Sequence, residues 1–566
     1  MDWAPASIAR WLFDSPRGVA DKLAPRWLFL RALGLIYFSA FFSLVFQIRG
    51  LIGPQGILPA NEYLQQAAQV MGHERFWVAP SLLWFSSGTH MLTGLCWAGM
   101  AASLLLVLNV WPRGTLLACF VCFLSFVSAS GDFSAYQSDG MLLEAGFVAL
   151  FFAPRGTRPG LGGSHPPVRA SLFLLQWEWL RIYFESGMAK LASGDPEWRQ
   201  LTAMDEYYQN GPLPTWIGWY TQHLPHWFHT WTALATLVLE LGLVWMMFLP
   251  RRWRTACFLI ATCWQIPVIL TANYTFLNYL VLSLGILLVD DHFVARLVPW
   301  RWRKRLLEHM GTNSQTISGR PPSEPPSLLR AVLLEPRTEP GEDQTSDRGA
   351  ERNWRERLRP KLAALRLSCA GVMLSWIFYA TTAQLLWVVL PSLPLPAKPV
   401  AALMPFRVAN QYGLFAVMTR GRYEIEFQGS DDGQTWVAYP FRFKPQDPRK
   451  PPGIYAPYQP RFDWNLWFAS LGDWRASPIV ARTEVRLLSG DADVLSLFAG
   501  NPFPHEPPRQ VRAVLWQYWF STLEEKRAQG LWWKRELLGL YAPVLERLPG
   551  GKIEIVQWPE PLSPHE

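Results

Sequence analysis

The stretch WLFLRALGLIYFSAFFSLVFQI, residues 27–48, is largely apolar and carries a single charged side chain, Arg31. A helix needs about 17–25 such residues to cross the hydrocarbon core of a bilayer. Eight more apolar runs follow, at residues 91–110, 114–129, 140–152, 168–191, 232–249, 255–270, 275–289 and 367–390, and those at 140–152 and 275–289 are the shortest. The sequence therefore predicts an all-α polytopic membrane domain of about nine transmembrane helices.

The composition of the whole chain agrees with a membrane protein. Of the 566 residues, 50% are hydrophobic and 17% are charged, whereas soluble domains average about 25% charged residues. Tryptophan occurs 31 times, which is typical of aromatic belts at the bilayer surfaces. The net charge of +8 does not indicate nucleic-acid binding, because the basic residues cluster beside the apolar runs. We therefore predict the lipid bilayer, and no nucleic acid, as a partner.

Taken together, alternate connections along the chain are rich in lysine and arginine, and the connections between them are poor in these residues. The rich connections hold four before the first run, one at 111–113, three at 153–170, three at 251–254 and fifteen at 290–366. The connections between them hold two at 49–90, none at 131–139, one at 192–231 and none at 271–274. Basic connections stay in the cytoplasm. The alternation therefore predicts nine spans, a cytoplasmic N-terminus and an exoplasmic C-terminus.

The chain divides into five predicted parts. These are a cytoplasmic segment at 1–26, a multi-pass transmembrane domain at 27–300, a flexible cytoplasmic linker at 301–366, a last transmembrane helix at 367–390 and an exoplasmic soluble domain at 391–566. The linker is rich in Pro, Ser, Thr, Glu and Arg and has no apolar periodicity, which is typical of a disordered segment. In the soluble domain, RYEIEFQGSDDGQTWVAYPFRFK, residues 422–444, predicts two strands around a Ser-Asp-Asp-Gly turn. Residues 511–548 show helical spacing, so the domain is predicted to be mixed, first β-rich and then helical.

Four ionisable side chains interrupt the apolar run at 168–191, namely Glu178, Arg181, Glu185 and Lys190. The first three share one helix face, because they are three and four residues apart. A charge at mid-bilayer costs about 2.5–3.5 kcal/mol on insertion scales, so such groups pair or face a polar cavity. One interpretation is a structural ion-pair cluster of Glu178, Arg181 and Glu185. Lys190 points to another side of the helix, and either extends to the bilayer surface or acts as a desolvated general base.

Two carboxylates in the run YQSDGMLLEAG, residues 136–146, are further candidates. Asp139 lies at the start of a predicted helix, where a negative charge is favourable. Glu144 lies deeper, and a carboxylate near mid-membrane is by default a functional candidate. Glu240 raises the same question in its own run.

Standard cofactor and metal signatures do not occur in the sequence. His223, His226 and His229 recur every third residue, but Pro225 interrupts any single helix and no ligand set is complete, so we predict no metal. There is no phosphate-binding glycine loop, no His-Glu-x-x-His and no nucleophile elbow. We predict no cofactor and no catalytic set of a standard kind.

Several long motifs together resemble the lipase maturation factor family. They are LIGPQGILPA (51–60), YQSDGMLLEAGF (136–147), FESGMAKLASGDPEWRQLTAMDEYYQNGPLPTWIGWY (184–220), ILTANYTFLNYL (269–280), NQYGLFAVMTRGRYEIEFQGSDDGQTW (410–436) and NPFPHEPPRQVRAVLWQYWF (501–520). The resemblance runs from about residue 25 to about residue 545 and fails only in the linker. It implies a membrane-bound assembly factor for exported, lipase-like client proteins, with the client-binding region within 400–566. The linker and the absence of an ER-retrieval tail favour a bacterial inner-membrane member over a member in the endoplasmic reticulum.

A shorter stretch, YFESGMAKLASGDPEW (183–198), is similar to the vitamin K-dependent γ-glutamyl carboxylase superfamily. That resemblance implies a role as a base for Lys190, and makes Lys190, Glu185, Asp139 and Glu144 the candidate catalytic residues. Two functions therefore stay open: a scaffold that presents a client-binding domain, and a membrane-embedded enzyme. An enclosed cavity that converges on these four side chains would favour the enzyme.

Overall fold

The computed structural model describes residues 5–299 and 353–562, so most of the predicted linker lies outside the described residues. The helices are α1 (Pro5–Phe13), α2 (Leu23–Val45), α3 (Ile48–Ile52), α4 (Ala60–Met71), α5 (Arg75–Val78), α6 (Thr89–Val107), α7 (Pro112–Val127), α8 (Gln137–Phe152), α9 (Arg169–Ala192), α10 (Pro196–Arg199), α11 (Ala203–Asn210), α12 (Trp216–Gln222), α13 (His226–Leu241), α14 (Arg251–Thr271), α15 (Leu277–Gly285), α16 (Asp291–Leu297), α17 (Asn353–Val389), α18 (Lys398–Ala401), α19 (Arg461–Ser470), α20 (Pro478–Ser489), α21 (Ala492–Leu495) and α22 (Leu523–Gln529). The strands are β1 (Arg422–Ser430), β2 (Val437–Ala438), β3 (Gln510–Phe520), β4 (Trp533–Leu540), β5 (Val544–Arg547) and β6 (Ile553–Gln557).

Helices account for all nine predicted membrane runs. Among the described residues, five are long and apolar enough to cross a membrane: Leu23–Val45, Thr89–Val107, His226–Phe248, Arg251–Thr271 and Lys361–Val389. Two more apolar helices, Pro112–Val127 and Leu277–Leu288, are shorter. The two remaining runs, at 140–152 and 168–191, coincide with α8 and α9. Helix α8 has 16 residues, and α9 has 24 but carries charged side chains. The N-terminal region is thus a helical transmembrane domain.

Close approach between α2, α6 and α8 depends on glycine. A Cβ atom added to Gly99 of α6 would lie 2.4 Å from the ring of Phe41 in α2. A Cβ atom added to Gly146 of α8 would lie 2.0 Å from the hydroxyl oxygen of Tyr37, also in α2. Apolar burial does not drive helices together inside a bilayer, so their association there depends on tight packing, which such small residues permit. The first span therefore lies inside the helix bundle, and its residues form much of the membrane core.

The C-terminal region is built on one antiparallel sheet. Its strand order is β2-β1-β3-β5-β6, with β4 pairing along the second half of β3. The predicted hairpin is confirmed, since Gln428 pairs with Ala438 and Gly429 with Val437 across the Ser-Asp-Asp-Gly turn. Helices α19 and α20 pack against the sheet, and α21 contacts α3 of the membrane domain. The C-terminal region is therefore strand-rich, as predicted.

The prediction of helical structure across 511–548 is wrong for most of that range. Strands β3, β4 and β5 occupy it, and the only helix there is the short α22. In β3 both faces are largely buried, because helix α20 and neighbouring structure cover the sheet. A strand that is buried on both faces loses the alternation of polar and apolar residues, so its sequence cannot be told from a helix by periodicity.

Candidate functional site

A buried seam joins the membrane domain to the C-terminal domain. It centres on residues 407–419, a stretch without regular structure after α18 that we call the insertion segment. This segment runs against the inward faces of α8 and α9. Its backbone brings N–H and carbonyl groups into an apolar interior, where each of them needs a partner.

Glu144 and Arg181 supply the partners at the start of the insertion segment. The Glu144 carboxylate accepts hydrogen bonds from the backbone N–H of Asn410 at 2.9 Å and from the Tyr412 hydroxyl at 3.1 Å. Arg181 forms an ion pair with Glu144 and donates to the carbonyl of Asn410 at 2.7 Å. Both ionised side chains are buried. The charged helix face that the sequence indicated therefore binds a length of backbone from the other domain.

Glu185 continues this pattern one turn further along α9. Its carboxylate accepts the N–H of Tyr412 at 2.7 Å and lies 3.7 Å from the guanidinium of Arg181. Glu178 departs from the prediction. It is fully buried, but it forms no ion pair with any described residue and does not belong to the cluster. The ion-pair cluster is therefore Glu144, Arg181 and Glu185, because the carboxylate of α8 reaches Arg181 where that of Glu178 does not.

Asp139 pairs with an arginine that the sequence analysis did not single out. Both carboxylate oxygens accept from the Arg461 guanidinium, at 2.7 and 2.8 Å, and the same guanidinium donates to the carbonyl of Phe133 at 2.6 Å. Asp139 lies in the first turn of α8, as predicted, and Arg461 is the first residue of α19. Both side chains are fully buried. This bidentate pair fastens α19 of the C-terminal domain to the end of α8.

Lys190 pairs with Glu240 rather than extending to the bilayer surface. Its ammonium donates to both oxygens of that carboxylate, at 2.9 and 2.8 Å, and lies 5.1 Å from the ring of Trp198. The side chain is only 3% exposed. The interpretation that Lys190 snorkels is therefore wrong. Glu240 of α13 lies beside it because α9 and α13 pack side by side.

Two further clamps lie at the loops between spans. Arg422 of β1 is fully buried and donates to the carbonyls of Gln209, Gly211 and Pro212. Asn273 uses its whole amide: the amino group donates to the carbonyl of Gly453 at 2.9 Å, and the oxygen accepts the N–H of Tyr455 at 2.7 Å.

Arg422 and Asn273 lie within the motifs quoted from the sequence, but nothing in their local spacing indicated that they would bind the backbone of distant segments. The one available signal for Arg461 is that it is a lone basic residue at the start of a strongly aromatic stretch.

A large cavity lies beside the seam. Its volume is about 1160 Å³, and it is bounded by α9, α13, α14, α15, the insertion segment and α19. Of the four predicted catalytic candidates, Lys190 lines this cavity, whereas Glu185, Asp139 and Glu144 do not. Those three carboxylates are directed to Arg181, Arg461 and the insertion segment instead. The cavity therefore does not converge on the four side chains together.

The three histidines, one just after α12 and two in the first turn of α13, have separate partners. The ring of His223 contacts the carbonyl of Trp219, that of His226 contacts Asp205 at 2.9 Å, and that of His229 contacts the carbonyl of Leu224. Within the described ranges, no group of three His, Cys, Asp or Glu side chains is placed to hold a metal ion.

Two family models match the chain. The model described as "Lipase maturation factor transmembrane domain" matches residues 24–296, and the one described as "Lipase maturation factor C-terminal domain" matches residues 408–543. The second match begins within the insertion segment and ends after β4, so most of the segment and strands β1 to β4 fall within one domain of the family.

Curated relatives are similar over almost the whole chain. Lipase maturation factor 1 of Bos taurus is 31% identical over 555 residues, which cover 95% of this chain and 91% of the relative. Lipase maturation factor 2 of Homo sapiens is 32% identical over 597 aligned positions, which cover 93% and 83%. Lipase maturation factor 1 of Homo sapiens is 29% identical, covering 92% and 87%. No solved structure matches the chain. These matches give no support to the alternative of a carboxylase-like enzyme.

Proposed function

The chain belongs to the lipase maturation factor family, and from that premise we propose that it assists the folding or assembly of exported, lipase-like client proteins. One observation carries the proposal. Both family models match the chain, and nearly its full length is similar to proteins named lipase maturation factors. Within the family, the proposal assigns client binding to residues 400–566.

The buried seam supports a division of labour between the two domains. Clamps at Asp139, Glu144, Glu185, Asn273 and the carbonyls of the 209–212 loop hold the C-terminal domain at one end of the membrane bundle. A rigidly held domain presents its surface to a client at a defined height above the bilayer. In this proposal the buried charged residues have a structural role, and maturation consists of the folding of the client protein itself.

We also propose nine spans, with the five parts of the chain bounded as predicted from the sequence, except that the last helix, α17, begins at Asn353, within the predicted flexible linker. Two groups of contacts support this arrangement. Connections predicted to be cytoplasmic, and the span ends beside them, contact one another: Arg26 donates to the carbonyl of His165, Lys22 to that of Leu287, and Asn109 to that of Gly160. The C-terminal domain instead contacts the connections predicted to be exoplasmic, at Phe133, Gln209 and Asn273.

The cellular location is proposed from the same topology. The membrane is the bacterial inner membrane, or that of the endoplasmic reticulum if the host is a eukaryote. The C-terminal domain then faces the periplasm or the lumen, which is where an exported lipase folds.

Co-expression with exported lipases tests the function. A panel of such lipases is expressed with and without this chain, and enzymatic activity is divided by the mass of exported lipase. We expect the chain to raise this ratio for at least one client, and a variant without residues 408–543 to leave it unchanged. Equal ratios with and without the full chain, across the panel, would contradict the proposal.

Affinity capture identifies the client-binding region. The detergent-extracted protein is used to retain newly made lipase, which is quantified by mass spectrometry. Retention that persists after residues 408–543 are removed would place client binding outside the C-terminal domain and would correct the proposal.

A further inference from the structure

The cavity beside the seam plays no part in the proposed maturation role. Its walls come from four membrane helices, and one face of α13 contributes Phe228, Thr232, Thr236 and Glu240 at regular intervals of four residues. Ile182, Ser186 and Lys190 of α9 form a matching row. Side chains at this spacing lie along a single helix face, so the cavity runs lengthwise along the two helices.

The cavity occupies one half of the bundle only. Its lining residues on α9 and α14 belong to the C-terminal halves of those helices, and those on α15 to its N-terminal half. These ends meet where the C-terminal domain sits, and Phe415 of the insertion segment and Trp464 of α19 contribute to the roof. The cavity is therefore at the depth of a single leaflet, with the soluble domain above it.

The walls select an apolar occupant. Aromatic and aliphatic side chains dominate the lining, and Lys190 and Glu240 within it neutralise each other as an ion pair. At about 1160 Å³ the cavity exceeds the usual range of about 300–1,000 Å³ for a small-ligand site. Walls in which apolar side chains dominate fit an apolar molecule, oriented by a few polar groups.

The rim specifies the charge of that molecule. The lining has one basic residue, Lys190, and three acidic ones, Glu240, Asp132 and Asp473. Asp473 is paired with Arg475 at 3.0 Å, and Glu240 is paired with Lys190. The remaining acidic residue is therefore Asp132, which is exposed. A negatively charged headgroup would be repelled by this rim, whereas an ammonium group would be attracted. Leu270, a lining residue inside the span α14, is 41% exposed, so the cavity opens sideways to lipid.

We propose that this cavity binds an acyl chain of a zwitterionic membrane lipid taken from the adjacent leaflet, with the lipid's ammonium headgroup toward Asp132. The lipid would enter between α13 and α14 and fill the space under the insertion segment. The inference goes beyond the proposed function and does not depend on any client.

Photo-crosslinking tests this inference on the full chain in lipid nanodiscs. The probe is a phosphatidylcholine with a diazirine on its acyl chain, and labelled peptides are identified by mass spectrometry. We expect labels on α13, α14 and the insertion segment. A phosphatidylglycerol with the same diazirine chain is expected to label these peptides severalfold less, and equal labelling by the two lipids would overturn the role of the rim.

Two variants fill the cavity, and one is a matched control. Thr236→Phe and Thr232→Phe each place a ring in the void, so labelling of the lining is expected to fall severalfold while the Tm stays near that of the wild type. Val238→Phe adds a ring on the exposed side of the same helix and is expected to change neither quantity. Unchanged labelling in the filled variants would overturn the proposal. A large loss of Tm in both would do so as well, since it would mean that there is no void to receive the ring.

Discussion

Individual buried charges in this protein are explained by partners from distant parts of the chain. Lys190 meets Glu240, Asp139 meets Arg461, and Arg181 meets Glu144. Removing water from such groups is expensive, and only close geometry with additional hydrogen bonds offsets it. A single substitution at these positions therefore leaves a charge without compensation, and the effect is expected on stability before it is expected on function.

Lys190→Met is the sharpest test at the residue scale. The substitution keeps most of the apolar stem but leaves the Glu240 carboxylate buried and unpaired, which costs about 3–5 kcal/mol. We expect a clear fall of Tm in detergent, and partial recovery when Glu240→Gln is added. Lys552→Met is the control, because its pair with Glu554 is exposed and such pairs contribute little. A wild-type Tm in Lys190→Met would mean that the ion pair does not form.

A pH effect is expected from Glu484, which lies in α20 against the sheet. It is fully buried, and burial raises the pKa of this carboxyl well above its usual range. An unfolded glutamate has a pKa of about 4.3, so above that pH the folded state holds a proton that the unfolded state has lost. Stability from this group is therefore complete at low pH and is lost as the pH rises toward the folded pKa.

Glu484→Gln removes the titration and keeps the shape of the protonated side chain. At pH 5 we expect the variant and the wild type to melt at similar temperatures, and at pH 8 we expect the variant to melt higher. The exposed Glu524→Gln serves as the control, with no such divergence. A difference in Tm that is constant across this pH range would show that Glu484 is not protonated in the folded protein.

The insertion segment is the element on which the arrangement of domains depends. Regular helices satisfy their own backbone groups, but an irregular segment between membrane helices relies on its surroundings. Side chains of α8 and α9 provide this through Glu144, Arg181 and Glu185, and Asp195 accepts the N–H of Met418 at 2.5 Å. Arg181 and Glu185 of α9 are thus explained by the backbone that they bind.

Arg461→Lys tests the clamp at the start of α19. Lysine keeps the charge but cannot reproduce the two parallel hydrogen bonds to Asp139. We expect a lower Tm and faster proteolytic release of the C-terminal domain from the membrane domain. Arg475→Lys is matched to it, because Arg475 also pairs with an aspartate, Asp473, but on the surface. Equal protease resistance of the wild type and both variants would show that the Arg461–Asp139 pair does not hold the C-terminal domain on the membrane domain.

At the scale of the whole molecule, the C-terminal domain and the basic connections lie at opposite ends of the bundle. The contacts of Arg26 with His165 and of Arg461 with Phe133 mark these two ends. A reporter enzyme that is active only in the cytoplasm, fused after Glu566, is therefore expected to be silent. Fusion of the same reporter after Arg113 is the positive control. Activity of the C-terminal fusion would overturn the proposed topology.

Deletion of residues 311–351, which lie outside the described residues, tests the predicted linker. Its sequence offers no apolar face to bury, so expression and Tm in detergent are expected to stay close to those of the full chain. A collapse in the amount of membrane-inserted protein would contradict the prediction. A deletion within α2 gives the reference for such a collapse, since that helix lies in the core.

By itself the sequence determined the features that depend on neighbours along the chain. Length and apolarity identified the membrane helices, the turn chemistry identified the β1–β2 hairpin, and long motifs identified the family. Local periodicity failed at β3, because burial on both faces removes the alternation on which it depends.

Only the tertiary structure decided the partners of the buried charges and the shape of the space between helices. Glu144 and Asn410 are 266 residues apart, and Asp139 and Arg461 are 322 apart. No spacing rule connects such positions, since the separation of two charges in space is set by how helices and sheet pack. The physical reason is that electrostatic pairing and cavity volume depend on distances in three dimensions, whereas hydropathy and turn preference act over a few neighbouring residues.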